Sequence, residues 1–116
     1  MKLEIIRGTT MSFLLTIQND DGTVYKLNDE EKLIFGVKLD PEKGDYLIKK
    51  IITTENEQDN GYIISLKPED TQNMSFKDYR YDIGLQTPEG DYYMLVSCSQ
   101  FIVNKAVTAK EWRYVR

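Results

Sequence analysis

The stretch "ISLKPEDTQNMSFKDYRYDIGL", Ile64 to Leu85, decides how this chain folds. Its second half places Tyr79, Tyr81, Ile83 and Leu85 on one face and Arg80, Asp82 and Gly84 on the other. A period of two is the signature of a half-buried strand. Ahead of it, Pro68 supplies a φ suited to the first position of a helical turn. Glu69 and Asp70 put negative charge at the amino end of that turn, where the helix dipole favours it. The segment therefore reads as a strand, a one-turn helix at the "KPEDT" corner, and a second strand.

The same pattern continues outward in both directions. "KLEII" (Lys2 to Ile6) is a short first strand interrupted by Gly8. "MSFLLTI" (Met11 to Ile17) alternates Phe13, Leu15 and Ile17 against Ser12, Leu14 and Thr16, and "NDDG" then supplies turn chemistry. "KLIFGVKL" (Lys32 to Leu39) faces Leu33, Phe35, Val37 and Leu39 inward, and Pro41 and Gly44 break the chain after it. "YLIKKIITT" (Tyr46 to Thr54) carries Lys49 and Lys50 in its middle, a usual protection for an edge strand. "GYIISL" (Gly61 to Leu66) points Tyr62, Ile64 and Leu66 one way. After the corner and "YRYDIGLQ", the turn "TPEGD" leads into "YYMLVSCSQFIVN" (Tyr92 to Asn104), long enough to bend or to serve two sheets. About seven strands at short spacing, with turn signals between them, predict an all-β sandwich.

The hexapeptide "LKPEDT" also occurs in antibody variable domains, where it bridges two strands. In that family the Asp of "PEDT" is followed by a Tyr four positions later and a Cys two further on. Here those places hold Met74 and Phe76, the next tyrosine is Tyr79, and the single cysteine, Cys98, cannot make an inter-sheet bridge. Antibody identity is excluded. The expected fold is a single immunoglobulin-like β-sandwich over residues 1–116, of which 109–116 form a C-terminal tail.

At 116 residues the chain is one domain of ordinary size, able to bury a core without staples. One cysteine excludes an internal disulfide framework, and Cys98 reads as a small buried hydrophobe in a strand. The absence of histidine removes the usual Cys/His zinc sites and the commonest general base. Fifteen basic against nineteen acidic residues give a net charge of -4 with the signs interspersed, which withdraws electrostatic support from nucleic-acid binding. "MKLEII" followed by Arg7 and Gly8 lacks the apolar run of a signal peptide, and no stretch approaches a membrane span of about 20 apolar residues. These features predict a soluble protein made in the cytoplasm.

Carboxylates are the remaining route to catalysis. Asp82, with Glu89 and Asp91 at the next turn, would have to cluster near one end of the sandwich as a glycosidase-like pair does. Carboxylates at turns and outward strand positions are also what a soluble sheet needs, so the expectation is no enzyme. "NDDGT" and "DPEKGD" do not match the spacing of a calcium loop, and the glycines are scattered singly, so no phosphate loop forms. No cofactor and no metal are expected. Eight tyrosines are many for this length, and aromatic groups with a polar tip dominate interface hot spots. Tyr62, Tyr79 and Tyr81 fall on inward faces, whereas Tyr92, Tyr93 and Tyr114 have no clear place inside.

The order of the pieces carries a resemblance. "IRGTTMSFLLTIQNDDGTVYKLNDEEKLIFGVK", "DPEKGDYLIKKI", "GYIISLKPEDTQNMSFKDYRYDIGLQTPEGDYYMLV" and "SQFIVNKAVT" together resemble small β-sandwich proteins of prophage tail and baseplate gene clusters in Gram-positive bacteria. They look like the amino-terminal domain of upper baseplate proteins, over Ile6 to Thr108. The shared features are Gly8 after the first strand, the Asp21-Gly22 turn, Glu69, Asp70 and Thr71 at the corner, and Tyr79-x-Tyr81-Asp82. The resemblance implies a virion structural module: made in the bacterial cytoplasm, assembled into a tail or baseplate, with other tail and baseplate proteins as partners and possible homo-oligomers. Upper baseplate proteins usually continue past this domain, whereas this sequence stops at Arg116, as either a stand-alone component or a piece of a longer chain. A carbohydrate-binding sandwich using exposed tyrosines is the alternative.

Candidate interface residues are Trp112, Arg113, Tyr114 and Arg116 in the tail, with Tyr92 and Tyr93. The tail concentrates the residue types most enriched at hot spots, although Trp112 folding back to cap the sandwich edge accounts for it equally. Thr108 and Glu111 have the spacing of a helix capping box. For the absent ligand chemistry the expected outcome is simple: a thermal-shift screen with calcium, zinc and nucleotides leaves Tm unchanged. A reproducible gain of several degrees from any of them would reveal a site that the sequence conceals.

Overall fold

The computed structural model describes residues 1–108. Eight strands follow one another: β1 (Leu3–Ile6), β2 (Met11–Leu15), β3 (Lys32–Lys38), β4 (Ile48–Ile52), β5 (Glu57–Gln58), β6 (Gly61–Leu66), β7 (Asp78–Gln86) and β8 (Tyr92–Asn104). A 3-10 turn (Thr54–Asn56) precedes β5, and the helical turn α1 (Pro68–Thr71) stands at the expected corner. The strands form a five-stranded sheet, β1-β8-β7-β3-β4, and a three-stranded sheet, β2-β6-β5. Every pairing is antiparallel except that of β1 with β8.

This is the order of an immunoglobulin-like sandwich: β2, β6 and β5 take the places of strands B, E and D, and β3, β7 and β8 those of C, F and G, with β4 added beside C. The immunoglobulin order sets a strand A beside strand B, but β1 pairs with β8 in the other sheet instead.

The core follows the period-two reading. Leu33, Phe35 and Val37 of β3, Tyr62, Ile64 and Leu66 of β6, and Tyr79, Tyr81, Ile83 and Leu85 of β7 are all buried. Leu39 is a correction: β3 ends at Lys38, the Asp40–Lys43 turn begins at once, and Leu39 stands exposed. β4 is an edge strand, as its lysines suggest. β8 stays within one sheet and absorbs its length through register shifts against β7 between Tyr81 and Gly84.

At the centre four rings meet. Phe35 packs on Phe13 (5.8 Å between centroids), Tyr81 (5.6 Å) and Phe101 (6.3 Å), and Tyr81 packs on Phe101 at 6.3 Å. These separations lie within the favourable range for edge-on and tilted aromatic pairs. Antibody domains put a disulfide between strands B and F here, with a Trp of strand C against it. This chain puts Phe13 on B, Tyr81 on F and Phe35 on C.

The corner before β7 has the same logic. Tyr79 Oη donates to the Ser75 carbonyl (3.0 Å), the tyrosine corner of this architecture, reached five residues later than in antibodies because "NMSFK" intervenes. Asp70 accepts from the Lys67 backbone N–H (2.7 Å) and pairs with Lys50 of β4 (2.9 Å). Buried Thr71 accepts from the Gly8 N–H (2.8 Å), tying α1 to the chain that crosses from β1 to β2. The long passage into β3 is fastened likewise: Leu27 N–H donates to Tyr62 Oη (2.7 Å), and Tyr25 Oη donates to the Glu31 carboxylate (2.7 Å), which raises the Tyr25 pKa to about 12.

Tyr81 separates ring packing from polar anchoring, because its hydroxyl also donates to the Met1 carbonyl. Tyr81→Ala is expected to cost about 3 to 5 kcal/mol in urea unfolding, the range for deleting a buried aromatic. Tyr81→Phe is expected to cost only about 0.5 to 1.5 kcal/mol, the net worth of a hydrogen bond. Equal losses in the two variants would mean that the hydroxyl, and not the ring cluster, holds β7 in place.

Candidate functional site

The alternation that buries Leu33, Phe35 and Val37 turns Ile34, Gly36 and Lys38 outward, and in β7 it does the same to Arg80, Asp82 and Gly84. Register joins these into one surface. Gly36 lies opposite Asp82 of β7 and Lys49 of β4, while Gly84 lies opposite Ile34 of β3 and Met94 of β8. Two glycines on neighbouring strands leave a strip of bare backbone on the outer face of the five-stranded sheet.

Two tyrosines fill that strip. The Tyr46 ring, delivered by the loop before β4, occupies the space that a Cβ on Gly36 would need. The Tyr92 ring, from the first residue of β8, does the same over Gly84. Glycine in a strand interior marks a close approach of this kind. Both tyrosines remain half exposed, as do Ile51 (47 %) and Met94 (46 %) on the same face.

Charge surrounds the rings. The Lys38 and Lys49 ammonium groups stand 5.2 and 5.3 Å from the Tyr46 centroid, within cation–π range. Asp82 sits with Tyr46, Lys38, Arg80 and Cys98 around a small cleft of about 100 Å³. Desolvation pushes the Asp82 pKa up, and nearby Lys38 offsets part of the rise. Desolvation, then Asp82 and Tyr46, raise the Tyr92 pKa.

Cys98 is exposed on this cleft rather than buried: Phe101 and Ser99 lie opposite inward-facing Tyr79 and Tyr81, which leaves Gln100 and Cys98 on the outer face. Tyr92 and Tyr93, expected together, diverge. Tyr92 covers Gly84 on the outer face, whereas Tyr93 pairs with inward-facing Leu85 and is exposed at the sheet end near Tyr25. Trp112, Arg113, Tyr114 and Arg116 lie outside the described residues. Tyr46, Ile51 and Met94 escaped the sequence reading. The signal for them was the pair of outward glycines in otherwise regular strands.

The carboxylates do not converge. Asp82 and the turn holding Glu89 and Asp91 are separated by about five residues of extended strand, roughly 17 Å, well beyond the spacing of a glycosidase pair. Among the described residues no group of three or more Cys, Asp and Glu side chains is placed to hold a metal ion, and no helix is long and apolar enough to cross a membrane. No protein-family model, curated protein or solved structure matches the chain.

Asp82 gives the surface a pH signature. Its folded-state pKa lies above its unfolded value, so the associated stability is complete below about pH 4 and is lost as pH rises through the folded pKa. Asp82→Asn is therefore expected to raise the unfolding midpoint at pH 7, with the gain vanishing below pH about 4. A loss of stability at pH 7 would show that the ionised carboxylate is a structural partner instead.

Proposed function

We propose that this chain is a non-enzymatic assembly module of a phage or prophage tail or baseplate, engaging neighbouring tail proteins through the outer face of its five-stranded sheet. The observation that carries the reading is the half-exposed cluster of Tyr46, Ile51, Tyr92 and Met94 beside partly buried Ile34, rimmed by Lys38, Lys49 and Arg80. An apolar centre with aromatic anchors and a charged rim is the anatomy of a protein interface. The resemblance in sequence order to prophage baseplate domains supplies the setting, with synthesis in the bacterial cytoplasm and residence in the virion.

Carbohydrate binding is the second reading, favoured by the two tyrosine rings laid against the sheet beside Asp82. Ile51 and Met94 weigh against it, since aliphatic groups on either side of the rings offer a sugar neither stacking nor hydrogen bonds.

Co-expression with proteins encoded beside it separates the readings. Ile51→Glu with Met94→Lys is expected to abolish co-purification with a tail or baseplate neighbour while leaving the melting curve in place. Unchanged co-purification would remove this face from assembly. Glycan-array binding that Tyr92→Ala abolishes would favour the carbohydrate reading.

A further inference from the structure

We propose that two copies of this chain pair through β2, antiparallel about a two-fold axis, joining their three-stranded sheets into one. The inference rests on three features of that edge and is independent of the outer face discussed above.

First, the edge is open. β2 hydrogen-bonds β6 on one side, and among the described residues no backbone hydrogen bond reaches its other side, where the immunoglobulin order would set a strand A. Alternate residues of an edge strand point N–H and C=O groups outward as a template for another strand.

Second, the edge is unguarded. From Gly8 to Asn19 the sequence has no charged residue and no proline. The other three edges have protection: β1 carries Glu4 between Lys2 and Arg7, β4 carries Lys49 and Lys50, and two-residue β5 carries Glu57 and stops where Asp59 and Asn60 adopt positive φ (51° and 65°). Left bare, an uncharged apolar edge pairs indiscriminately.

Third, the flank is under-covered. On β4, also an edge, the inward Ile48 and Ile52 are buried, and the inward Lys50 between them is closed off by its ion pair with Asp70. The inward side chains of β2, namely Met11, Phe13 and Leu15, are only partly buried. Leu14 on the opposite face is 43 % exposed. A strand beside β2 would cover the three inward residues.

The occupant is a second copy because "MSFLL" is complementary to itself. An antiparallel pairing centred on Phe13 sets Phe13 against Phe13, Ser12 against Leu14, and Met11 against Leu15, keeping every inward residue inward with no charge opposed. Such a contact uses both β2 edges and closes, and the guarded β5 edges prevent growth into a fibre.

Sedimentation velocity on the full chain over a concentration series tests this. The expected species is twice the chain mass, reverting to one chain mass in Leu14→Lys with the circular dichroism unchanged. Should Leu14→Lys fail to fold, Ser12→Lys, at an exposed hydroxyl, is read in its place. Ile51→Lys, on the outer face of the other sheet, is expected to leave the dimer intact, which keeps this inference separate from the proposed assembly face. Hydrogen exchange adds a second readout, with protection of the Met11–Leu15 amides that falls on dilution. The pairing is overturned if the full chain remains one mass at the highest concentration. It is equally overturned if a dimer survives the β2 lysines, dissociates with Ile51→Lys, or disappears on deletion from Trp112 onward while the β2 lysines leave it unchanged.

Discussion

Four aromatic rings, Phe13 of the three-stranded sheet and Phe35, Tyr81 and Phe101 of the five-stranded one, form the centre of the core between the sheets, and the other features of the molecule are arranged around them. A disulfide at this position stabilises largely by restricting the unfolded chain. A ring cluster acts on the folded state, by taking large apolar surfaces out of water and packing them edge to face. The substitution has a structural consequence. A covalent bridge fixes two points, whereas ring packing holds only while all four backbones keep their spacing, so the strands must be positioned by something else.

That positioning comes from hydrogen bonds at the margins. Tyr79 to Ser75, Thr71 to Gly8 and Asp70 to the Lys67 N–H set the corner between β6 and β7, and Lys50 reaches the same Asp70 from the edge of the opposite sheet. The corner thus touches both sheets and the crossing from β1 to β2. This is why "LKPEDT" can be shared with antibodies without common identity. The turn solves a geometric problem of the two-sheet architecture, and Pro68 and Asp70 serve that geometry wherever it arises.

The core was legible because its strands obey strict alternation: β3, β6 and β7 could be oriented from "LIFGV", "YIISL" and "YRYDIGL" alone. Legibility failed where alternation is interrupted. Leu39 falls past a strand end, and the register shifts in β8 leave its thirteen residues without one continuous alternation, so residue type alone placed Cys98 inside. The two-residue strand β5 is too short to give a period at all. The outer face was hidden for another reason. Tyr46 and Tyr92 acquire their positions from Gly36 and Gly84, ten and eight residues before them, and only the path of the connecting turn brings ring and glycine together. A glycine at an outward position of a regular strand is a hint of such an approach, but it does not say which ring will arrive.

The two uncovered surfaces lie on different sheets, so occupation of one leaves the other free. Antiparallel strands joined edge to edge are related by a two-fold axis perpendicular to their sheet. Pairing through β2 would therefore set both five-stranded sheets on the same side of the joined layer, with their tyrosine-bearing faces pointing in one direction. Each face alone is small, with an apolar centre of five residues, and small interfaces bind weakly. Two such faces fixed in one orientation turn the second contact into an intramolecular event, which raises avidity without any new interaction. Weak faces made effective by a rigid pairing suit a repeated assembly, in which a misplaced single contact must be able to dissociate.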